Sequence, residues 1–160
     1  MKNNIFISLF LILFSQSLKA ENVLIESKKI TLEKNAELSI FEENVVITTS
    51  ENNIIKAEYA EYDKKNGVIT LKNNVVATDN RNNKLFSNFA IYNENLKKLS
   101  SVGSTKIITS ESYTIEGNDI IFDDLNKFIV SEKKTIITDL DRNKITLSSF
   151  KYLTTEYIFK

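Results

Sequence analysis

The chain has 160 residues, enough for one domain with a substantial core. Lysine plus arginine number 21 and aspartate plus glutamate 21, so no basic surplus points to nucleic acid and no acidic tail is present. Cysteine and histidine are absent, which excludes disulfides, thiol nucleophiles, Ser-His-Asp triads and zinc or iron–sulfur centres, and leaves no expectation of a metal, a cofactor or catalysis.

The first segment stands apart. Lys2 supplies a positive start, and Ile5 to Phe14 (IFISLFLILF) is an almost wholly apolar run before SQSLKA. As a helix that run spans roughly 15 Å, about half of a bilayer core, so residues 1–20 read as a cleaved secretory signal rather than an anchor. Ala20 and Ser17 are both possible cleavage points, and no cysteine follows to carry a lipid. Residues 21–160 are expected to form the mature domain, which keeps a slight acidic excess once Lys2 and Lys19 are gone.

Beyond the signal, ELSIFEENVVITT (37–49) alternates as a strand should, whereas IIKAEYAEYD (54–63) has helical composition. Its copies decide between strand and helix. Ile25, Ile55, Leu85, Ile115 and Ile145 are spaced by thirty; so are Ile30, Ala60, Ala90, Ile120 and Phe150; so are Leu32, Tyr62, Tyr92, Phe122 and Tyr152; and Ile69, Leu99, Ile129 and Phe159 make a fourth series. Aligned on KAEYAEYD, the later copies FSNFAIYN, EGNDIIFD and TLSSFKYL trade Ala and Glu for strand-favouring Phe, Ile and Thr, so IIKAEYAEYD is predicted to be a strand. Thr48, Thr78, Thr109 and Thr138 suggest a fifth series with uneven steps, which places an extra residue near Val102-Gly103.

Each repeat is thus expected to hold two strands of about 10–13 residues. Polar turns at 33–37, 50–53, 63–67, 79–83, 93–97, 110–112, 123–126 and 139–143 join them into an antiparallel meander. One irregularity recurs: Ile55 and Ala57 are out of phase with Ala60 and Tyr62, Leu85 and Ser87 with Ala90 and Tyr92, and Ile115 and Gly117 with Ile120 and Phe122. A bulge or bend near Glu58-Tyr59, Asn88-Phe89 and Asn118-Asp119 turns both pairs inward, folding the sheet over an apolar interior with small residues at the bend (Ala57, Ser87, Gly117).

The stretch AEYAEYDKKNGVITLKNNVVATD (57–79) resembles the repeat of the LptA/OstA family, A-x-x-A-x-Y-D…L-x-G-N-V, at Ala57, Ala60, Tyr62, Asp63, Leu71, Asn74 and Val75. Asn44-Val45 and Ala90-Tyr92 extend the likeness over most of the mature chain, while Asn73 and Glu43 stand where the pattern has glycine. The resemblance implies an all-β, antiparallel jelly roll or folded-over repeat sheet. It also implies periplasmic binding and transport of lipopolysaccharide by its acyl chains, and end-to-end docking of similar domains by strand addition. The family includes a free bridge protein and the N-terminal domain of the larger LptD, and the expected last hairpin is cut short at Phe159-Lys160.

Candidate groove positions are Val46, Ile55, Ala57, Tyr62, Val76, Leu85, Tyr92, Ile107, Ile115, Ile120, Phe122 and Ile136. Acyl chains need only apolar walls, gaining about 0.8 kcal/mol per buried CH₂. The pairs Glu42-Glu43 and Asp123-Asp124 read as solvated turn charges, and Lys28-Lys29, Lys64-Lys65, Lys97-Lys98 and Lys133-Lys134 as charged turns and edge protection. A secreted scaffold or adhesin-type solenoid without lipid cargo is the alternative; it requires parallel coils and more glycine than the three here.

Overall fold

The computed structural model describes residues 23–33 and 37–160. The expected signal segment lies outside them. Among the described residues every regular element is a strand. The strands are β1 (Val23–Glu26), β2 (Lys29–Leu32), β3 (Leu38–Thr49), β4 (Ile54–Asp63), β5 (Val68–Thr78), β6 (Lys84–Asn93), β7 (Lys98–Ser101), β8 (Ser104–Ile108), β9 (Thr114–Asn118), β10 (Ile121–Asp123), β11 (Phe128–Ser131), β12 (Thr135–Thr138), β13 (Lys144–Leu147), β14 (Phe150–Leu153) and β15 (Ile158–Phe159). They form one sheet in which every pairing is antiparallel, which excludes the parallel coils of a solenoid.

IIKAEYAEYD is β4 over its whole length, paired on both sides. Two hydrogen-bonded neighbours and an apolar interior outweigh the helical preference of Ala and Glu. The expected length of 10–13 residues holds for β3 to β6. Elsewhere the bend interrupts the ladder, and each crossing becomes two shorter strands, such as β7 with β8 and β9 with β10.

The bend divides the sheet into two arms. The first arm holds β1, β8, β9, β12, β13 and the 45–57 and 75–87 portions of β3–β4 and β5–β6; the second holds β2, β7, β10, β11, β14, β15 and the rest. The phase of β4 and β6 switches between Ala57 and Ala60 and between Ser87 and Ala90, as expected. The extra residue, however, sits on the partner strands. Glu42–Val45 of β3 faces Tyr59–Ala57 of β4, and Lys72–Val75 of β5 faces Phe89–Ser87 of β6. Glu43 and Asn44, Asn73 and Asn74, and Gly103 take positive φ there. Positions 43, 73 and 103 are thirty apart, so Val102-Gly103 is the regular bend and the repeat keeps strict step.

The turns obey the same period. Left-handed residues fall at Asn52, Asn82, Ser112 and Arg142 on the first arm's rim, and at Gly67, Lys97, Lys127 and Tyr157 on the second arm's rim. The position that caps the first-rim turns is 49, 79, 109 and 139. Thr49 and Thr109 hydroxyls accept from the amides of Asn53 (3.2 Å) and Tyr113 (3.1 Å), while Asp79 and Asp139 carboxylates accept from those of Asn83 (2.7 Å) and Asn143 (2.8 Å). Thr109 therefore belongs with Thr49, not with Thr48, Thr78 and Thr138, whose counterpart in the thirty-residue series is Ile108. The uneven step in the threonine series arises from that substitution.

Candidate functional site

The two arms face each other across one apolar interior. Cross-strand register arranges it in continuous rows. On the first arm one row runs Ile25, Ile47, Ile55, Ala77, Leu85, Ile107, Ile115, Ile137 and Ile145, each residue opposite the next. On the second arm a row runs Leu32, Ser39, Tyr62, Ile69, Tyr92, Leu99, Phe122, Ile129, Tyr152 and Phe159. The thirty-residue columns record alternate members of these rows, because a two-strand repeat moves one step across the sheet in each half-period. Most members of each row are closed from solvent; at one end of each row Leu32 (64%) and Ile145 (59%) are exposed, while Ile25 and Phe159 at the other ends are half-buried against the core. The interior thus runs from one edge of the sheet to the other, with an exposed apolar member of a row at each edge.

Of the twelve candidates, Ile55, Ala57, Leu85, Tyr92, Ile107, Ile115, Ile120 and Phe122 are buried in this interior, and Tyr62 packs against it half-buried. Val46, Val76 and Ile136 lie on the opposite face. They share an outer row with Lys56, Phe86, Lys106 and Glu116, and Val76 lines an open outer depression of about 330 Å³ with Phe86 and Lys106. The inward neighbours are Val45, Val75 and Ile137. The left-handed pairs before Val45 and Val75 set that phase, and Val-Val and Ile-Ile dipeptides carry no alternation to reveal it. The column 46, 76, 106, 136 contains Lys106, which marks it as outward in the sequence itself. Ile47, Leu71 and Ile137 are interior positions outside the candidate set.

Small residues line the bend. Ala57 and Ser87 are buried, and a Cβ on Gly117 would come within 2.8 Å of Thr135 Oγ1, so this position admits little bulk.

The polar groups that expectation placed in solvent are partly interior. Asp123 and Asp124 are both buried. Asp123 accepts from the amide (2.8 Å) and side chain (3.0 Å) of Asn126 and pairs with Lys98 at 3.0 Å. Burial opposes its ionisation, but these hydrogen bonds and the Lys98 charge outweigh burial and hold its carboxyl below the usual range. Asp124 pairs with Lys127 at 2.7 Å and accepts from Asn53 Nδ2 at 3.0 Å. Tyr62 donates to both oxygens of Glu94 at 3.1 Å. Burial pushes the Tyr92 hydroxyl pKa up, and the nearby Glu51 charge adds to the shift.

A cavity of about 20 Å³, measured to the centre of a water-sized sphere, lies between Ile55, Leu99 and Phe122 beneath Asn53, Lys97 and Asp124. That is room for one water, not for a hydrocarbon chain. Among the described residues no cluster of acidic side chains has the arrangement to hold a metal ion.

No protein-family model and no curated protein matches the chain in sequence. Solved structures match in fold. One is LptH of Pseudomonas aeruginosa, described as the LptA-homologous periplasmic component of a lipopolysaccharide transport device; the likeness has a TM-score of 0.56, covers 78% of this chain and 93% of that one, and comes with 13% identity. The chain therefore shares the LptA-like fold expected from its repeat.

Proposed function

We propose that this chain is a periplasmic carrier of lipopolysaccharide, holding the acyl chains between its two arms on the way to the outer membrane. The observation that carries this reading is the pair of largely apolar rows that cross the whole sheet and leave an apolar residue exposed at each edge, Leu32 at one and Ile145 at the other. A core built only for stability has no need to leave interior positions such as Leu32 and Ile145 uncovered at its ends. The fold shared with LptH supports the same reading. The chemistry of the interior fits hydrocarbon, since branched aliphatic and aromatic walls recognise apolar bulk without demanding one headgroup.

The edges suit strand addition. Each of β1, β2, β13 and β15 has one paired neighbour among the described residues, which leaves a side for another sheet. Similar domains joined there would continue the rows from one molecule into the next.

Photocrosslinking tests the proposal. A photoreactive amino acid replacing Phe122 or Tyr92 in cells is expected to capture lipopolysaccharide, while one replacing the outward Lys56 is not. Absence of a lipopolysaccharide adduct at both interior sites would sink it.

A further inference from the structure

The cavity between Ile55, Leu99 and Phe122 is too small for a hydrocarbon chain, so a guest entering there must open it. Among the described residues, the polar contacts that join the rims come from one kind of turn. The first-rim turns alternate in sequence: TSENN (49–53) and TSESY (109–113) carry Thr-Ser-Glu, whereas DNRNN (79–83) and DLDRN (139–143) begin with aspartate. The aspartates turn inward on their own loops, Asp79 taking the Asn83 side chain at 2.7 Å and Asp139 that of Asn143 at 2.9 Å. The Thr-Ser-Glu turns instead reach across. Lys97 of the second rim donates to Ser50 at 2.6 Å and pairs with Glu51 at 3.4 Å. Asn53 donates to Asp124 at 3.0 Å. Glu111, braced by Ser110 at 2.6 Å, accepts from the Tyr152 hydroxyl. The 20 Å³ cavity lies under the first two of these contacts.

We propose that the Thr-Ser-Glu turns are a lateral latch, and that an acyl chain enters sideways between the rims when it parts, over the cavity floored by Ile55, Leu99 and Phe122, rather than threading in from an open edge. This rests on the lipid-carrier reading above. The contacts suit a latch: the Lys97 pair is polar and partly solvated, so water replaces it at small net cost, while the Asn53–Asp124 bond is buried and holds the rims more firmly. The bend supplies the hinge, since its left-handed pairs interrupt the ladder between the arms.

The chain lacks cysteine, so a crosslink can be placed without ambiguity. Asn53→Cys with Asp124→Cys, closed by a short bifunctional thiol reagent, is compared with the same protein left open. The probe is cis-parinaric acid, a fatty acid that fluoresces in apolar surroundings. Uptake by the linked form is expected to slow at least tenfold; uptake at the open form's rate would show that guests come in from the edges and overturn the proposal. In the uncrosslinked chain, Lys97→Gln combined with Glu111→Gln is expected to speed uptake severalfold, and an unchanged rate counts equally against the latch. Should no form take up the probe, the lipid reading itself fails. Amide hydrogen exchange then decides the latch separately: linking is expected to slow exchange in β4, β6 and β9, and identical exchange in linked and open protein rejects it.

Discussion

Glu43 carries a backbone conformation that favours glycine, with φ of 63°, at the point where β3 crosses the bend. An L-residue in that region loses roughly 1–2 kcal/mol, and glycine gives back about 0.5–1 through its freedom in the unfolded chain. Glu43→Gly is therefore expected to stabilise the protein by about 0.5–1 kcal/mol in urea unfolding. Gly103 occupies the same position sixty residues on, with φ of 77° and nothing within 4 Å of an added Cβ. Gly103→Ala should lower stability by about 1 kcal/mol from backbone strain alone, and a neutral result would remove strain from the account. These positions show what a single sequence leaves hidden. Asparagine and glycine at 73, 74 and 103 signal left-handed backbone, but glutamate at 43 does not. The capping column 49, 79, 109, 139 escapes notice because threonine and aspartate perform one task with different side chains.

At the scale of strands, the rows explain which substitutions matter. Leu85 is fully buried in the centre of the first-arm row, flanked by Ala77 and Ile107. Leu85→Ala should cost about 2–5 kcal/mol, whereas Val76→Ala on the outer face should cost under about 1. Equal costs measured by chemical denaturation would contradict the assigned faces. The period made β4 legible as a strand despite its helical composition, because its copies replace most of its Ala and Glu with strand-favouring residues. It located the phase switch in β4 and β6 as well. It could not show that the additional residue sits opposite, on β3 and β5, since a phase break on one strand and an insertion on its neighbour leave the same one-residue offset. Val46, Val76 and Ile136 were illegible one at a time and legible as a column, through Lys106.

For the whole molecule, the polar framework of the turns sets the response to acid. Hydrogen bonds from Asn66 hold the Asp63 carboxyl below its ordinary range, those from Asn143 do the same for Asp139, and Asn126 and Lys98 prevail over burial at Asp123. A carboxyl whose folded pKa is lowered stabilises the fold fully above its unfolded pKa, near 4, and loses that contribution as pH falls through the folded value. Stability in urea should therefore be level from about pH 7 to 5 and decline below about pH 4, and Asp123→Asn should make the decline shallower. A flat profile down to pH 3 would contradict the role given to these turns. The ion pair between Lys98 and Asp123 and the Asp124 network join strands far apart in sequence, which is why two turn aspartates that read as solvated are interior.

The central claim is that the space between the arms, and not the outer surface, receives acyl chains. Methyl NMR during titration with purified lipopolysaccharide tests it most directly, because both faces carry isoleucine or valine. The account predicts that methyls of Ile55, Leu85, Ile107 and Ile129 shift or broaden while those of Val46, Val76 and Ile136 stay in place. Perturbation confined to the outer three, or to none of the seven, would contradict it.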